Sequence, residues 1–234
     1  MSYYREYYTP SKPRDPLVQI EKLRKTDPGI QPVLIEGKLA KTWWAVSWNK
    51  NLEGYADYEN RIGRGRSYIR QGCVLDLKIA PGQVNALIQG SRAKPYEVVV
   101  RIDPLSTEKW KKVVEQCSRR VGSLEELVSG AFPKELMELF SERGDGLFPS
   151  PREIRFSCTC PDRAYMCKHV AATLYGIGAR FDSDPTLFFI LRDIDFSALL
   201  KKSLEDKMSS MLKNAGQVTE RVILDADTLA LFGV

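Results

Sequence analysis

FSCTCPDRAYMCKHVAATLYGIG, residues 156–178, holds three of the chain's five cysteines and its single histidine. The spacing is Cys158-x-Cys160, six intervening residues, then Cys167-x-His169. Three thiols and an imidazole in two close pairs make the donor set of a closed tetrahedral zinc site. Asp162 and Glu153 stand near in sequence, but four-coordination needs no carboxylate. Two other readings compete. A cysteine is often a small buried hydrophobe, and Cys158 with Cys160 could form a redox couple, although the thioredoxin-like motif has two intervening residues rather than one. Neither explains why the lone histidine falls two places after the third cysteine. Zinc is therefore the expected ion, with Cys158, Cys160, Cys167 and His169 as its ligands. Three thiolates and a neutral imidazole around a dication leave one formal negative charge, which Arg163 and Lys168 in the same loop can offset. Four protein ligands leave no open position for an activated water, so the expected role is structural rather than catalytic.

A C-x-C pair, a gap and a C-x-H pair running into an apolar helix resemble the SWIM zinc finger, with the gap near the short end of that family's range. More broadly, the chain is similar to bacterial and archaeal SWIM proteins found alongside Swi/Snf-type ATPases. In those, a Trp-rich start, a GRGRSYxRQG-like stretch and a leucine-rich C-terminal segment accompany the finger. The resemblance implies binding of nucleic acid or protein, a Swi/Snf-type ATPase as partner, and no catalysis at the metal; between the nucleic acids DNA is preferred to RNA, and the sequence leaves that choice open.

Outward from the finger, Ile154 and Phe156 lead a short strand into Cys158, and Pro161 supports the reversal after Cys160. A helix is expected over 164–179, with Val170, Leu174 and Ile177 on one face. Asp184-Pro185 opens another, whose Leu187, Phe188 and Leu191 can cover the finger. Phe196, Leu199, Leu200 and Leu204 continue an apolar face, and 214–217 reads as a linker before an apolar ending. Upstream, Trp110, Val113, Val114, Cys117 and Val121 make a helical stripe, and Ser123 with Glu126 resembles a capping box for the next helix. Gly144, Gly146 and Pro149 mark a loop and the expected domain boundary.

Residues 38–103 read as antiparallel β. Trp44, Val46 and Trp48 alternate, as do Cys73, Leu75, Leu77 and Ile79, then Val84, Ala86 and Ile88 after a Pro81-Gly82 turn, then Tyr96, Val98, Val100 and Ile102. Alternation of this kind predicts a sheet with one packed and one wetter face. The fold class expected is α+β: an N-terminal antiparallel meander, helices, and a ββα-like finger with covering helices. Its divisions are a flexible arm at 1–36, a basic β-rich domain at 37–147, the finger with packing helices at 148–213, and a tail at 214–234.

Charge is unevenly placed. Residues 1–103 hold 17 Lys and Arg against 11 Asp and Glu, whereas 104–234 hold 18 against 19. The basic excess centres on RIGRGRSYIRQG, residues 61–72, where Arg61, Arg64, Arg66 and Arg70 cluster around Gly63, Gly65 and Gly72. Arg92 and Lys94 in a later turn join them if both turns lie at one end of the sheet. Guanidinium forks suit phosphate oxygens, so these six residues are the candidate nucleic-acid contacts. The alternatives are a solvated loop and pairing of the arginines with the acidic residues at 53–59. No Walker loop occurs. No apolar run approaches the roughly 20 residues that span a bilayer, and MSYYREYYTPSKPR has no secretory h-region. The cysteine usage suits a reducing cytoplasm. The expected function is a non-enzymatic zinc protein that binds nucleic acid, sits beside a Swi/Snf-type ATPase, or both. The alternative is a subunit that binds protein alone. An enzyme is disfavoured, because there is no HExxH and no second histidine to act as a base.

Overall fold

The structure is a computed structural model. It describes residues 12–56, 59–118 and 146–195, with the backbone alone at 113–118, and positions 201, 205, 208, 209 and 211–213. The chain is a mixed α and β protein. Its antiparallel sheet has four strands in the order β1 (Val74–Ala80), β2 (Gln83–Ile88), β3 (Tyr96–Ile102) and β4 (Ile154–Cys158). The turn between β1 and β2 is the expected Pro81-Gly82, with Gly82 at φ +66°, a left-handed conformation that glycine adopts without a Cβ clash. Val84, Ala86, Ile88, Val98, Val100, Ile102 and Ile154 are buried, while Asn85, Glu97, Arg101 and Arg155 are exposed. The alternation thus gives one packed and one wet face. In β1 it is interrupted. A bulge between Val74 and Asp76 pairs Val74 with Ile88 and Leu77 with Ala86. Val74 and Leu77 therefore share the packed face, and the expected Cys73-Leu75-Leu77 set is split.

Across that face lies a 16-residue helix, Lys168–Ser183. Among the described residues four helices precede it: α1 (Pro16–Thr26), α2 (Trp43–Glu53), α3 (Glu59–Arg70) and α4 (Thr107–Ser118). The central helix is α5, and α6 (Thr186–Leu191) follows it. Every residue from His169 to Gly178 is buried, as befits a helix covered on all sides. It begins at the third and fourth candidate ligands, a turn later than 164, and runs to 183. On one side a Cβ at Gly176 would meet Leu77 Cδ1 at 2.7 Å. On another, the α2 indoles of Trp48 and Trp44 donate to the carbonyls of Leu174 (3.0 Å) and Phe181 (2.9 Å). Asp182 of α5 in turn accepts from the N–H groups of Lys41 and Thr42 and from the Thr42 hydroxyl, which fixes the start of α2.

Two expectations are corrected here. TWWAVSW is not a strand and RIGRGRSYIR is not a loop; both are helices. In α2 the buried residues are Ala45, Trp48, Asn49 and Leu52, which is helical spacing, and Thr42 caps its first turn by accepting from the Ala45 N–H. In α3 they are Ile62, Gly65, Tyr68 and Ile69. Gly65 allows close packing on α5: a Cβ there would lie 2.5 Å from Ala171 Cβ and 3.1 Å from its backbone. Gly65→Ala should therefore destabilise by about 1–3 kcal/mol through overpacking, despite alanine's better helix propensity. Thermal melts should show the loss, and Ala171→Gly in the same chain should recover part of it.

The sheet also spans the expected boundary at 147/148. Leu147 and Phe148 are buried, Phe148 packs edge-on to Trp48 and Phe188, and β4 pairs along β3. Residues 12–36, expected as a flexible arm, include α1 and a segment held along the edge of β1. There the Val33 N–H donates to the Val74 carbonyl and the Leu77 N–H to that of Gln31, both at 3.0 Å. Residues 1–11, the helices expected at 119–144, the Phe196–Leu204 face and the tail lie outside the described residues.

A candidate metal centre and the cations around it

Cys158 is the last residue of β4, and its register opposite Val98 sets it on the packed face of the sheet. Cys160 follows two residues later. Cys167 is the N-cap of α5, and His169 lies in that helix's first turn. A sheet edge and a helix start thus bring the two pairs together, and all four ligand atoms lie within 4.8 Å of one another. Ligands 2.3 Å from a tetrahedral centre would lie about 3.8 Å apart. Nδ1 of His169 is 3.9 Å from Cys158 Sγ and 3.9 Å from Cys167 Sγ, so the donor set fits a zinc ion, with Nδ1 as the histidine ligand.

The thiols fit a cation electrostatically. Cys160 is held far below the ordinary thiol range, because the Cys158 and Cys167 thiols donate to its sulfur; the Asp162 N–H assists. Cys158 is pushed far up by its contacts with Cys160 and Cys167 and by burial. At Cys167 the contact with Cys158 lowers the value, but the contact with Cys160 and burial outweigh it and raise the thiol to about 11. A dication among the three sulfurs would relieve the repulsion that raises Cys158 and Cys167 and favour their ionised forms.

The imidazole is enclosed by two tyrosines. Tyr68 of α3 meets it edge-on with centroids 5.4 Å apart, and Tyr96 of β3 lies over it at 4.4 Å and 34°. Gly90 permits that stacking, because a Cβ there would sit 2.5 Å from the Tyr96 ring. Nε2 is buried without a hydrogen-bond partner among the described residues.

Residues 155–176 match the model of the SWIM zinc finger family. The chain carries a SWIM zinc finger. It is 37% identical over 180 residues to Uncharacterized protein Rv2102 of Mycobacterium tuberculosis, a match covering 76% of this chain and 61% of that relative. The chain thus spans less than two thirds of the relative's length. No solved structure matches it. The finger and its donor set together make this a zinc-binding type of site.

The six candidate phosphate contacts separate into two groups around the SWIM finger. Arg61 and Arg66 turn inward. Arg61 Nε lies 3.1 Å from an Asp162 oxygen, and Arg66 reaches Glu53 at 2.6 Å and the Tyr175 hydroxyl at 2.8 Å. Pairing with the 53–59 acids was one of the alternatives, and it holds for Arg66. Arg64, Arg70, Arg92 and Lys94 are exposed, with Lys94 beside Glu97 at 3.1 Å. Arg92 lies over the Tyr96 ring at 6.0 Å, and Arg64 is close enough to Tyr68 to act on its hydroxyl electrostatically. Two further cations join them. Lys168 Nζ lies 5.1 Å over the Tyr68 ring, and Arg14 donates from its backbone to Gly90 and from its side chain to Ser91. Lys168 had a visible signal in its place between two ligands; Arg14 had none.

Proposed function

We propose that the chain is a non-catalytic, zinc-stabilised module that binds nucleic acid through the cations around the finger's imidazole. The observation that carries this reading is convergence. Arg64 from α3, Arg92 from the β2–β3 turn and Lys168 from the start of α5 approach the two rings that flank His169, with Arg14 beside the same turn. Bound zinc would hold β4 to α5 and so keep these cations in register. Four protein ligands complete its coordination and leave no reactive position. Tyr68 and Tyr96 are buried, so the face offers charge rather than an open stacking platform, which favours contact with the phosphates of duplex DNA over readout of bases. The resemblance to SWIM proteins further supports a ββα-like finger topology and a Swi/Snf-type ATPase as partner, and the cysteine usage supports a cytoplasmic setting. Among the described residues no helix is long and apolar enough to cross a membrane.

The test is the salt dependence of binding to two unrelated DNA duplexes. Each phosphate contact contributes about −0.9 to the slope of log K against log salt. Replacing Arg64, Arg92 and Lys168 together by alanine should flatten that slope by about 2.7 on both duplexes. An unchanged slope in a folded triple variant would refute the proposed face. A second reading, a subunit that binds protein alone, is favoured by the exposure of Met208, Met211 and Leu212. It predicts no salt-sensitive DNA binding and nuclease-resistant copurification with the ATPase.

A further inference from the structure

Asp162 lies in the gap between the two ligand pairs, and three of its contacts act on that gap. Its N–H donates to the sulfur of Cys160. Its Oδ1 accepts from the Ala164 N–H at 3.2 Å and closes a tight turn. Both its oxygens face the guanidinium of Arg61, Nε to Oδ2 at 3.1 Å and a terminal nitrogen to Oδ1 at 3.3 Å. The pair thus has one hydrogen bond and one close charge contact, and its side chains are about three quarters covered, at 23% and 26% exposure. A charge-assisted hydrogen bond that is partly desolvated and backed by a second close charge contact is stronger than a fully exposed ion pair.

Arg61 stands near the start of α3, one turn before Gly65. Gly65 is seated on Ala171, two residues after the histidine ligand. The pair therefore spans from the helix packed on the second ligand pair to the loop that follows the first. We propose that the Arg61–Asp162 ion pair is a clamp outside the ligand set that positions Cys160 for metal binding and so sets the affinity of the finger for zinc. The clamp also balances charge. A three-thiolate zinc centre is anionic, and Asp162 would stand beside it as an unpaired carboxylate if Arg61 did not face it. The two halves are therefore unequal: losing the arginine leaves a repelling carboxylate, whereas losing only the carboxylate's charge does not.

The inference rests on metal binding at the finger and not on nucleic-acid binding. It is tested on the full chain with Co2+ as a spectroscopic probe and Zn2+ in competition with a chromophoric chelator. The parent should show the absorption of tetrahedral Co2+–thiolate coordination; a parent that binds neither metal would overturn the metal reading and the clamp together. Arg61→Ala should raise the zinc dissociation constant about tenfold or more, the range of outer ligand partners. Asp162→Asn, which is isosteric, should raise it less, and the double variant should bind no more weakly than Arg61→Ala. Metal-free parent and variants should melt alike. The clamp is overturned if zinc affinity in both single variants matches a zinc-binding parent. It is also overturned if Arg61→Ala lowers the melting temperature equally with and without metal, since that would make the ion pair a general structural contact.

Discussion

Stripping zinc from the protein with EDTA should lower its melting temperature sharply, and Cys160→Ser should do the same while abolishing the response to added zinc. Structural zinc contributes an apparent 10–16 kcal/mol in isolated finger peptides, where binding energy is folding energy. Here the finger is not an appendage. Cys158 ends β4, an edge strand of the sheet, and Cys167 opens α5, which is buried along ten consecutive residues. Loss of the ion therefore weakens the seam between sheet and central helix rather than a surface loop. Free zinc at a hundred times its dissociation constant should stabilise by ~2.7 kcal/mol. At 2–4 °C per kcal/mol that is a rise of about 5–11 °C for a chain of this length. The dependence on pH has a definite sign. Zinc needs all three cysteines as thiolates, yet the metal-free cluster raises Cys158 far above the ordinary range and Cys167 to about 11. Binding must displace those protons, so affinity rises with pH and fails in acid. Calorimetric melts with and without EDTA across pH check both statements; a melt indifferent to chelation would remove the structural role.

How much of this was legible beforehand differs from element to element, for physical reasons. The ligand set was readable because metal coordination imposes residue type and local spacing together. Strands β2 and β3 were readable because each has one wet face, so polar and apolar residues alternate. The start of β1 misled because a bulge at 75 adds a residue to that alternation. TWWAVSW satisfies period two through Trp44, Val46 and Trp48, but the helix buries Ala45, Trp48, Asn49 and Leu52. A window of seven residues does not separate the two periods. RIGRGRSYIR carries two glycines that argue against a helix on local propensity. Tertiary contact outweighs them, because only a residue without a Cβ lets α3 come as close to Ala171 as it does. The arginine face followed from the same error. In a loop all four arginines could point outward; on a helix their spacing sends Arg61 and Arg66 to internal carboxylates and leaves Arg64 and Arg70 in solvent. That Arg92 comes over the ring stacked on the imidazole depends on Tyr96 of β3 lying against His169, which no local pattern announces.

Glu153→Gln should cost about 3–5 kcal/mol, the range for removing one partner of a buried ion pair. Its partner, Arg192, is 0% exposed and reaches Glu153 Oε1 at 2.8 Å. The same guanidinium donates to the Asp103 carbonyl at 3.0 Å, and Glu153 Oε2 accepts from the Ser150 N–H at 2.8 Å. The network joins the residue after α6 to the end of β3 and to the turn before β4. Glutamine keeps the shape but leaves a buried cation without its counter-charge. Replacing both, as Glu153→Leu with Arg192→Met, should be less damaging than the single change, because no charge is then stranded. Acid acts in the same direction as the single variant. Burial alone would raise the Glu153 carboxyl, but donation from Arg192 and from Ser150 outweighs it and holds the group below its ordinary 4.5. A depressed carboxylate contributes fully above that value and loses its contribution as pH falls through the lower, folded one. The parent should therefore lose stability below about pH 4.5 more steeply than Glu153→Gln, in which the group no longer titrates. β4 is thus pinned just before Ile154 by this pair, and bound zinc would pin it again at Cys158. Hydrogen exchange across 154–158 should rise from the first end in Glu153→Gln and from the last in EDTA. A variant whose β4 amides stay protected while its melting temperature falls would show that the ion pair stabilises the core without holding the strand.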